Sequence, residues 1–227
     1  MQTEVQHIQL SHVDEQVEQQ SQAQTTRRVR SQFEKPTGLR GRVVGWLMAH
    51  RASNRERNAW AVSLLELQST DHVLEIGFGP GIAIALMSKV VTSGQVVGID
   101  HSEVMLQQAG KRNASVIEQG RVQLRLASAS ELPVGHDRYD KCLMVNTFHY
   151  WDNPNDVLRN VQGLMKPGGK IVVAFQPRLQ GTTGEGTLKV GYTMVERLKA
   201  AGFSRALLEV KSLVPESVVC AVGMKEG

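Results

Sequence analysis

Residues 73–81 read Val73-Leu74-Glu75-Ile76-Gly77-Phe78-Gly79-Pro80-Gly81. Apolar residues leading to an acid are what the carboxyl end of a buried strand looks like. Glycines at every second position then predict a tight turn that lets backbone come close to a ligand. Ile82, Ala83, Ile84, Ala85 and Leu86 follow as the first turns of a helix. Strand, glycine turn and helix together make a nucleotide-binding layout. Two common versions do not fit. A dinucleotide fingerprint, G-x-G-x-x-G, begun at Gly77 requires Gly or Ala at position 82, where Ile82 stands. A phosphate-binding P-loop requires G-x-x-x-x-G-K-[ST], and no such string occurs.

Further strands follow in order. Val96 to Asp100 reads as a second buried strand ending in an acid, about 20 residues beyond the glycines, where Rossmann-like folds carry a ribose-binding carboxylate. Ser102 is an N-cap for a helix carrying Val104, Met105 and Ala109. Val122 to Leu126 alternates as a third strand. Tyr139-Asp140 opens a fourth strand, Lys141 to Val145, with Asn146 to Trp151 beyond its carboxyl end. Leu164-Met165-Lys166-Pro167-Gly168-Gly169 predicts a helix stop before strand five, Ile171 to Phe175. Gln180 to Gly186 reads as a loop, Val190 to Ala201 as a helix, and Ala206 to Val210 and Val218 to Val222 as closing strands that turn around Pro215. Strands alternating with helices imply parallel pairing, and the short last connection implies an antiparallel pair at the edge.

At 227 residues the chain suits one main core. No apolar run reaches the ~18–20 residues that span a bilayer, and the first thirty residues lack the apolar core of a signal peptide. Cys142 and Cys220 each sit in an apolar run, which predicts buried thiols rather than a disulfide or a metal site, and a cytoplasmic setting. No metal site is expected. The net charge of +4 is local: residues 27–60 hold nine Arg and Lys against two Glu. Three segments are expected. Residues 1–32 are a Gln-rich arm, disordered or marginally helical. Residues 33–69 are a helical lid with a hinge at Pro36 and Gly38 and two amphipathic helices, one with Val43, Val44, Trp46, Leu47 and His50, the other with Ala61, Val62, Leu64 and Leu65. Residues 70–227 are the sheet domain.

The pattern Glu75-x-Gly77-x-Gly79-x-Gly81, the acid at Asp100, the residues after strand four and the L-x-K-P-G-G string stand in one order across residues 70–227. In these motifs the chain resembles the class I S-adenosylmethionine-dependent methyltransferases, of the type 11-like group that acts on small molecules. The resemblance implies a Rossmann-like α/β fold: a seven-stranded, mostly parallel sheet with helices on both faces, an antiparallel last strand and an N-terminal helical lid. It implies S-adenosyl-L-methionine as cofactor, S-adenosyl-L-homocysteine as product, and a site made of Glu75, Gly77, Phe78, Gly79, Gly81, Asp100, His101, Met105, Ser128, Ala129 and Asn146.

Within that site, Glu75 is expected at the cationic methionyl end, Asp100 on the ribose hydroxyls, and His101 and Met105 near the adenine. Ser128 stands where members often carry an Asp that accepts from the adenine amino group. His149 and Tyr150 are the candidate catalytic residues, His149 as a general base whose ordinary pKa of about 6.5 suits the role. The equal alternative is a structural histidine under a Tyr150–Trp151 lid. The expected partner is a small-molecule acceptor, with no nucleic acid and an open oligomeric state. Methylation of nucleic acid or protein is the alternative within the enzyme class. Against it, Asn146-Thr147-Phe148-His149 lacks the two prolines of the N-P-P-Y-like string of base amino-methyltransferases. The basic segment also permits a cofactor-binding regulatory protein without catalysis.

Overall fold

Strands that are apolar on both sides must be covered on both faces, and that requirement organises the chain. The computed structural model describes residues 52–132, 138–177, 184–213 and 216–227. In chain order the elements are α1 (Ala52–Leu64), β1 (His72–Ile76), α2 (Ile82–Val90), β2 (Gln95–Asp100), α3 (Glu103–Arg112), α4 (Ala114–Glu118) and β3 (Val122–Leu126). There follow β4 (Tyr139–Val145), α5 (Pro154–Leu164), β5 (Met165–Phe175), α6 (Gly184–Ala200), β6 (Phe203–Lys211) and β7 (Val218–Lys225). Short 3₁₀ turns lie at Ala129–Glu131 and Phe148–Tyr150.

The seven strands form one sheet in the order β3-β2-β1-β4-β5-β7-β6. β1 pairs in parallel with β2 and β4, β2 with β3, and β4 with β5. β7 runs antiparallel to both β5 and β6, so the expected reversed last strand is present. Side-chain alternation divides the core. Leu74, Ile76, Val97, Ile99, Cys142, Met144, Ile171 and Val173 face α5 and α6 with Leu158, Leu164, Met194 and Leu198. Their neighbours Val73, Val96, Leu143, Val145, Val172 and Ala174 face the other way, onto Ala61 and Leu65, Ala83, Ile84 and Met87 of α2, and Met105 and Ala109 of α3. Both cysteines are buried free thiols, and burial pushes both well above the usual thiol range.

Several boundaries differ from expectation, and β7 runs on to Lys225 rather than ending at Val222. Strand five starts at Met165, not Ile171, because Met165 pairs with Tyr139 before the register shifts and Lys141 takes Lys170. The Lys166-Pro167-Gly168-Gly169 turn is thus an outward loop within a strand. α6 starts at Gly184 rather than Val190, since Thr187 and Gly191 are buried on its inner face. β6 is longer than expected; an extra residue near Arg205 (φ 48°) makes a bulge that lets it follow β7. Residues 1–51 and Pro215 lie outside the described residues, and with them the polar arm, the hinge and the first amphipathic helix. No described helix is long and apolar enough to cross a membrane.

Candidate active site

The strand order reverses between β1 and β4, and a crevice opens beyond the carboxyl ends of the strands at such a point. A cavity of about 600 Å³ lies there. It runs from Asp100, His101, Met105, Ser128 and Ala129 past Glu75 and the glycine turn to Asn146, Thr147, Tyr150 and Trp151.

Gly77, Gly79 and Gly81 all have positive φ, at 74°, 53° and 76°. Their surroundings separate their roles. A Cβ at Gly77 would overlap the Thr147 methyl, and one at Gly81 would lie 2.7 Å from the Ala109 Cβ. A Cβ at Gly79 would meet nothing within 4 Å. The outer glycines serve the protein's own packing, and the middle one leaves room on the cavity side. The turn is held from several directions. The amides of Gly77 and Phe78 donate to the Ile99 carbonyl. Arg112 Nε donates to the Pro80 carbonyl and Asn113 Nδ2 to the Gly81 carbonyl. Phe78 is buried and its ring lies beside Gly98.

Asp100 closes this frame. Its Oδ2 accepts from the Gly79 amide at 2.8 Å and its Oδ1 from the Ser102 amide at 2.9 Å. Burial pushes its carboxyl above the usual carboxylate range, and the Ser102 and Gly79 amides pull it back. Glu75 is 1% exposed. Burial raises its carboxyl well above the ordinary value, the Asp100 charge raises it further, and only the Ile84 amide opposes them.

Around the cavity, Ser128 caps the turn Ala129–Glu131. Its hydroxyl takes the Ser130 amide at 3.3 Å and meets the Ser130 hydroxyl at 2.8 Å, while the Glu131 carboxylate accepts from the Ser128 amide. Asn146 is buried with φ 56°. Its side chain forms a two-way pair with the Gln176 backbone, Oδ1 accepting at 2.8 Å and Nδ2 donating at 2.9 Å. The Asn146 side-chain amide is therefore engaged by the residue just past β5, and its wall of the cavity is set by a turn of positive φ. Phe148 is buried and meets Trp151 edge to face at 6.2 Å. Tyr150 lines the cavity. His149 lies in the same 3₁₀ turn, and its side chain is outside the described part of the structure.

Several lining residues were not singled out in advance, Asn54, Arg57, Asn58 and Thr147 among them, with Asp152, Asn153, Asp156 and Asn160 beyond Trp151. Asn54, Arg57 and Asn58 are buried polar residues on α1 at i, i+3 and i+4. Arg57 donates to Gln176 Oε1 and to Asn54 Oδ1, which ties α1 to the end of β5. Their helical spacing is readable in the sequence: Asn54, Arg57 and Asn58 lie on the same stripe as Ala61 and Leu65, toward the helix N-terminus. Thr147 carries no such signal. The cofactor implied by the motifs fits these groups: Gly79 leaves backbone open to it, and one buried oxygen of Glu75 has no partner.

The comparisons agree with this geometry. The methyltransferase domain family matches residues 74–173. The uncharacterized methyltransferase YdaC of Bacillus subtilis (strain 168) is 33% identical over 81% of this chain and 98% of its own length. A demethylmenaquinone methyltransferase of Bacillus cereus (strain B4264) is 28% identical over 78% of this chain and 73% of its own. Several other methyltransferase relatives are matched over only about half their length. The crystal structure of a SAM-dependent methyltransferase from Aquifex aeolicus superposes with a TM-score of 0.61 at 22% identity, covering 77% of this chain and 93% of that one. With the seven-stranded sheet, the glycine turn and these relatives together, the chain belongs to the class I S-adenosylmethionine-dependent methyltransferases.

Proposed function

We propose that the methyl acceptor is a small organic molecule that enters beside Tyr150 and Trp151, with α1 as the inner part of a lid built from residues 33–69. The observation that carries this reading is the cavity itself. At about 600 Å³ it lies in the usual range for small-molecule sites and is bounded at its acceptor end by α1 and the segment after β4. When bound, S-adenosylmethionine would supply an activated sulfonium methyl, which passes to an in-line nucleophile as the carbon–sulfur bond breaks and S-adenosylhomocysteine leaves. The chain's own task is to align the acceptor and keep water out. Glu75 and Asp100 hold the cofactor at its amino-acid and ribose ends, and His101, Met105, Ser128 and Ala129 surround the adenine. His149 or Tyr150 takes the proton of an attacking hydroxyl or amine where one must be removed.

The name of the demethylmenaquinone relative favours a quinone-type ring over other small acceptors, and the aromatic side chains at the acceptor end suit such a ring. The test is transfer of labelled methyl to a panel of quinols, phenols, amines and carboxylates, beside generic RNA, DNA and protein. Labelling of a small acceptor, with His149→Ala slowing it by 10²-fold or more, is the expected result. Labelling of polymer alone, together with submicromolar nucleic-acid affinity at physiological salt, would overturn it.

A further inference from the structure

Among the described residues, three buried charged side chains line the cavity: Glu75, Asp100 and Arg57. The two acids belong to the cofactor end, and Arg57 does not. Its Nη1 donates to Gln176 Oε1 at 3.2 Å, and Gln176 follows the last residue of β5. Across the sheet the order is β2, β1, β4, β5, so Asp100 and Gln176 stand three strands apart. At ~4.8 Å per strand the separation is about 14 Å. The guanidinium therefore lies beyond Asn146, at the acceptor end.

Taking a guanidinium out of water is costly, and Arg57 is held firmly where it is. Its Nη2 donates to Asn54 Oδ1, which also accepts from Asn58 Nδ2 at 3.2 Å. Gln176 is fixed in turn. Its Nε2 donates to the Glu216 carbonyl at 2.8 Å, which turns Oε1 toward Arg57, and its backbone pairs with the Asn146 side chain. The Gln176 and Asn54 oxygens belong to neutral amides, so these bonds orient the guanidinium without cancelling its charge. The other acids of the lining, Asp152 and Asp156, are exposed, and Asp156 bonds to Arg159. Charges at a wet rim are screened, and a buried one much less. A planar, weakly hydrated fork of donors suits a carboxylate or another oxyanion.

We propose that Arg57 determines acceptor specificity, and that the acceptor binds as an oxyanion, a carboxylate or an ionised ring hydroxyl, with that oxygen on the guanidinium. The proposal rests on the reading that a small acceptor enters beside Tyr150 and Trp151. The charges at the two ends of the cavity then set its orientation. Arg57 draws the anionic oxygen toward α1 and the end of β5, and the acids at the cofactor end repel it. The rest of the acceptor, with its nucleophilic atom, is left facing the cofactor.

Calorimetric titration of the full chain, saturated with S-adenosylhomocysteine, tests it with matched pairs of probes. 4-Hydroxybenzoate is set against its methyl ester, and 2-hydroxy-1,4-naphthoquinone, ionised at neutral pH, against its methyl ether. Wild type should prefer an anion to its neutral partner by about tenfold or more. The pair that shows the preference identifies the oxyanion as carboxylate or ring oxygen, and this comparison needs no variant to fold. Arg57→Gln should reduce the preference to within about twofold, with Arg57→Lys in between. Gln176→Glu sets a carboxylate against the guanidinium and should abolish the preference with Arg57 still in place. A preference that survives both Arg57→Gln and Gln176→Glu would overturn the proposal. So would Arg57→Gln weakening S-adenosylhomocysteine about tenfold while sparing 5′-methylthioadenosine, which lacks the amino-acid end, because the guanidinium then serves the cofactor's own carboxylate. Anions and neutral partners that bind alike would overturn the oxyanion and leave the small-acceptor reading standing. Failure of every probe to bind would overturn both.

Discussion

Each glycine of the turn answers to a different neighbour, so substitutions there should separate folding from binding. Gly79→Val points into open space. It should fold with a modest loss, from its positive φ of 53°, and lose S-adenosylhomocysteine affinity by 100-fold or more. Gly77→Ala drives a methyl into Thr147 and should cost stability outright, about 2 kcal/mol or more in urea denaturation. Asp100→Ala removes the acceptor of the Gly79 and Ser102 amides, and with it the proposed ribose ligand. Weakening of S-adenosylhomocysteine binding by about 10- to 100-fold is expected, with a loss of about 1–3 kcal/mol in stability. Wild-type affinity in both folded Gly79→Val and Asp100→Ala would refute the assignment of the cofactor site.

Glu75 makes a second residue-scale prediction, on pH. Its carboxyl is held above the ordinary value by burial and by Asp100, so the folded state binds the proton more tightly than the unfolded chain. The stability this contributes is fully present below the unfolded carboxyl pKa, about 4.3, and is lost as pH rises through the folded one. Glu75→Gln has no charge to bury. Relative to wild type, the variant without ligand should therefore gain stability as pH rises from 5 to 8. A gain of about 1 kcal/mol would appear as roughly 2–4 °C in Tm. A difference that stays constant over that range would show that Glu75 does not titrate there.

At the scale of elements, α1 has two jobs that fall at different ends of one buried stripe. Ala61 and Leu65, the latter just past its end, are fully buried against the sheet, while Asn54, Arg57 and Asn58 line the cavity. Leu65→Ala should cost about 2–5 kcal/mol, measured as a lower urea midpoint with unchanged slope. Cofactor affinity of the folded fraction should stay the same. A simultaneous loss of affinity would mean that packing at Leu65 controls the polar N-terminal end of the helix as well.

Over the whole molecule, the site is where two halves of one sheet diverge. β1 with α2 supplies the glycine turn, β2 supplies Asp100, and β4 supplies Asn146 and Thr147. A ligand that touches all three should bind the native state only and stabilise it globally. S-adenosylhomocysteine at 100 times its Kd should add about 2.7 kcal/mol, seen as a rise of roughly 5–10 °C in Tm. Gly79→Val should show little of that rise.

Much of this architecture was written locally. Glu75 to Gly81 spell strand, turn and helix because a run of left-handed residues at alternate positions needs glycine, and the acids at Glu75 and Asp100 end strands that must be apolar up to that point. Those are short-range requirements, so spacing alone conveys them, along with the parallel sheet and its reversed last strand. What the amino acids could not disclose is set by long-range contact. The start of β5 depends on Tyr139 reaching Met165, and the start of α6 on the inner face that buries Thr187 and Gly191. The difference between Gly77 and Gly79 is invisible until Thr147, 70 residues away, is seen to fill the space beside one and not the other. Arg57 joins the site only because α1 packs across the ends of β4 and β5 and meets Gln176. Local sequence determined which backbone shapes were allowed; packing between distant segments decided which side chains share the cavity, because van der Waals contact and buried hydrogen bonds act over a few ångströms of space rather than along the chain.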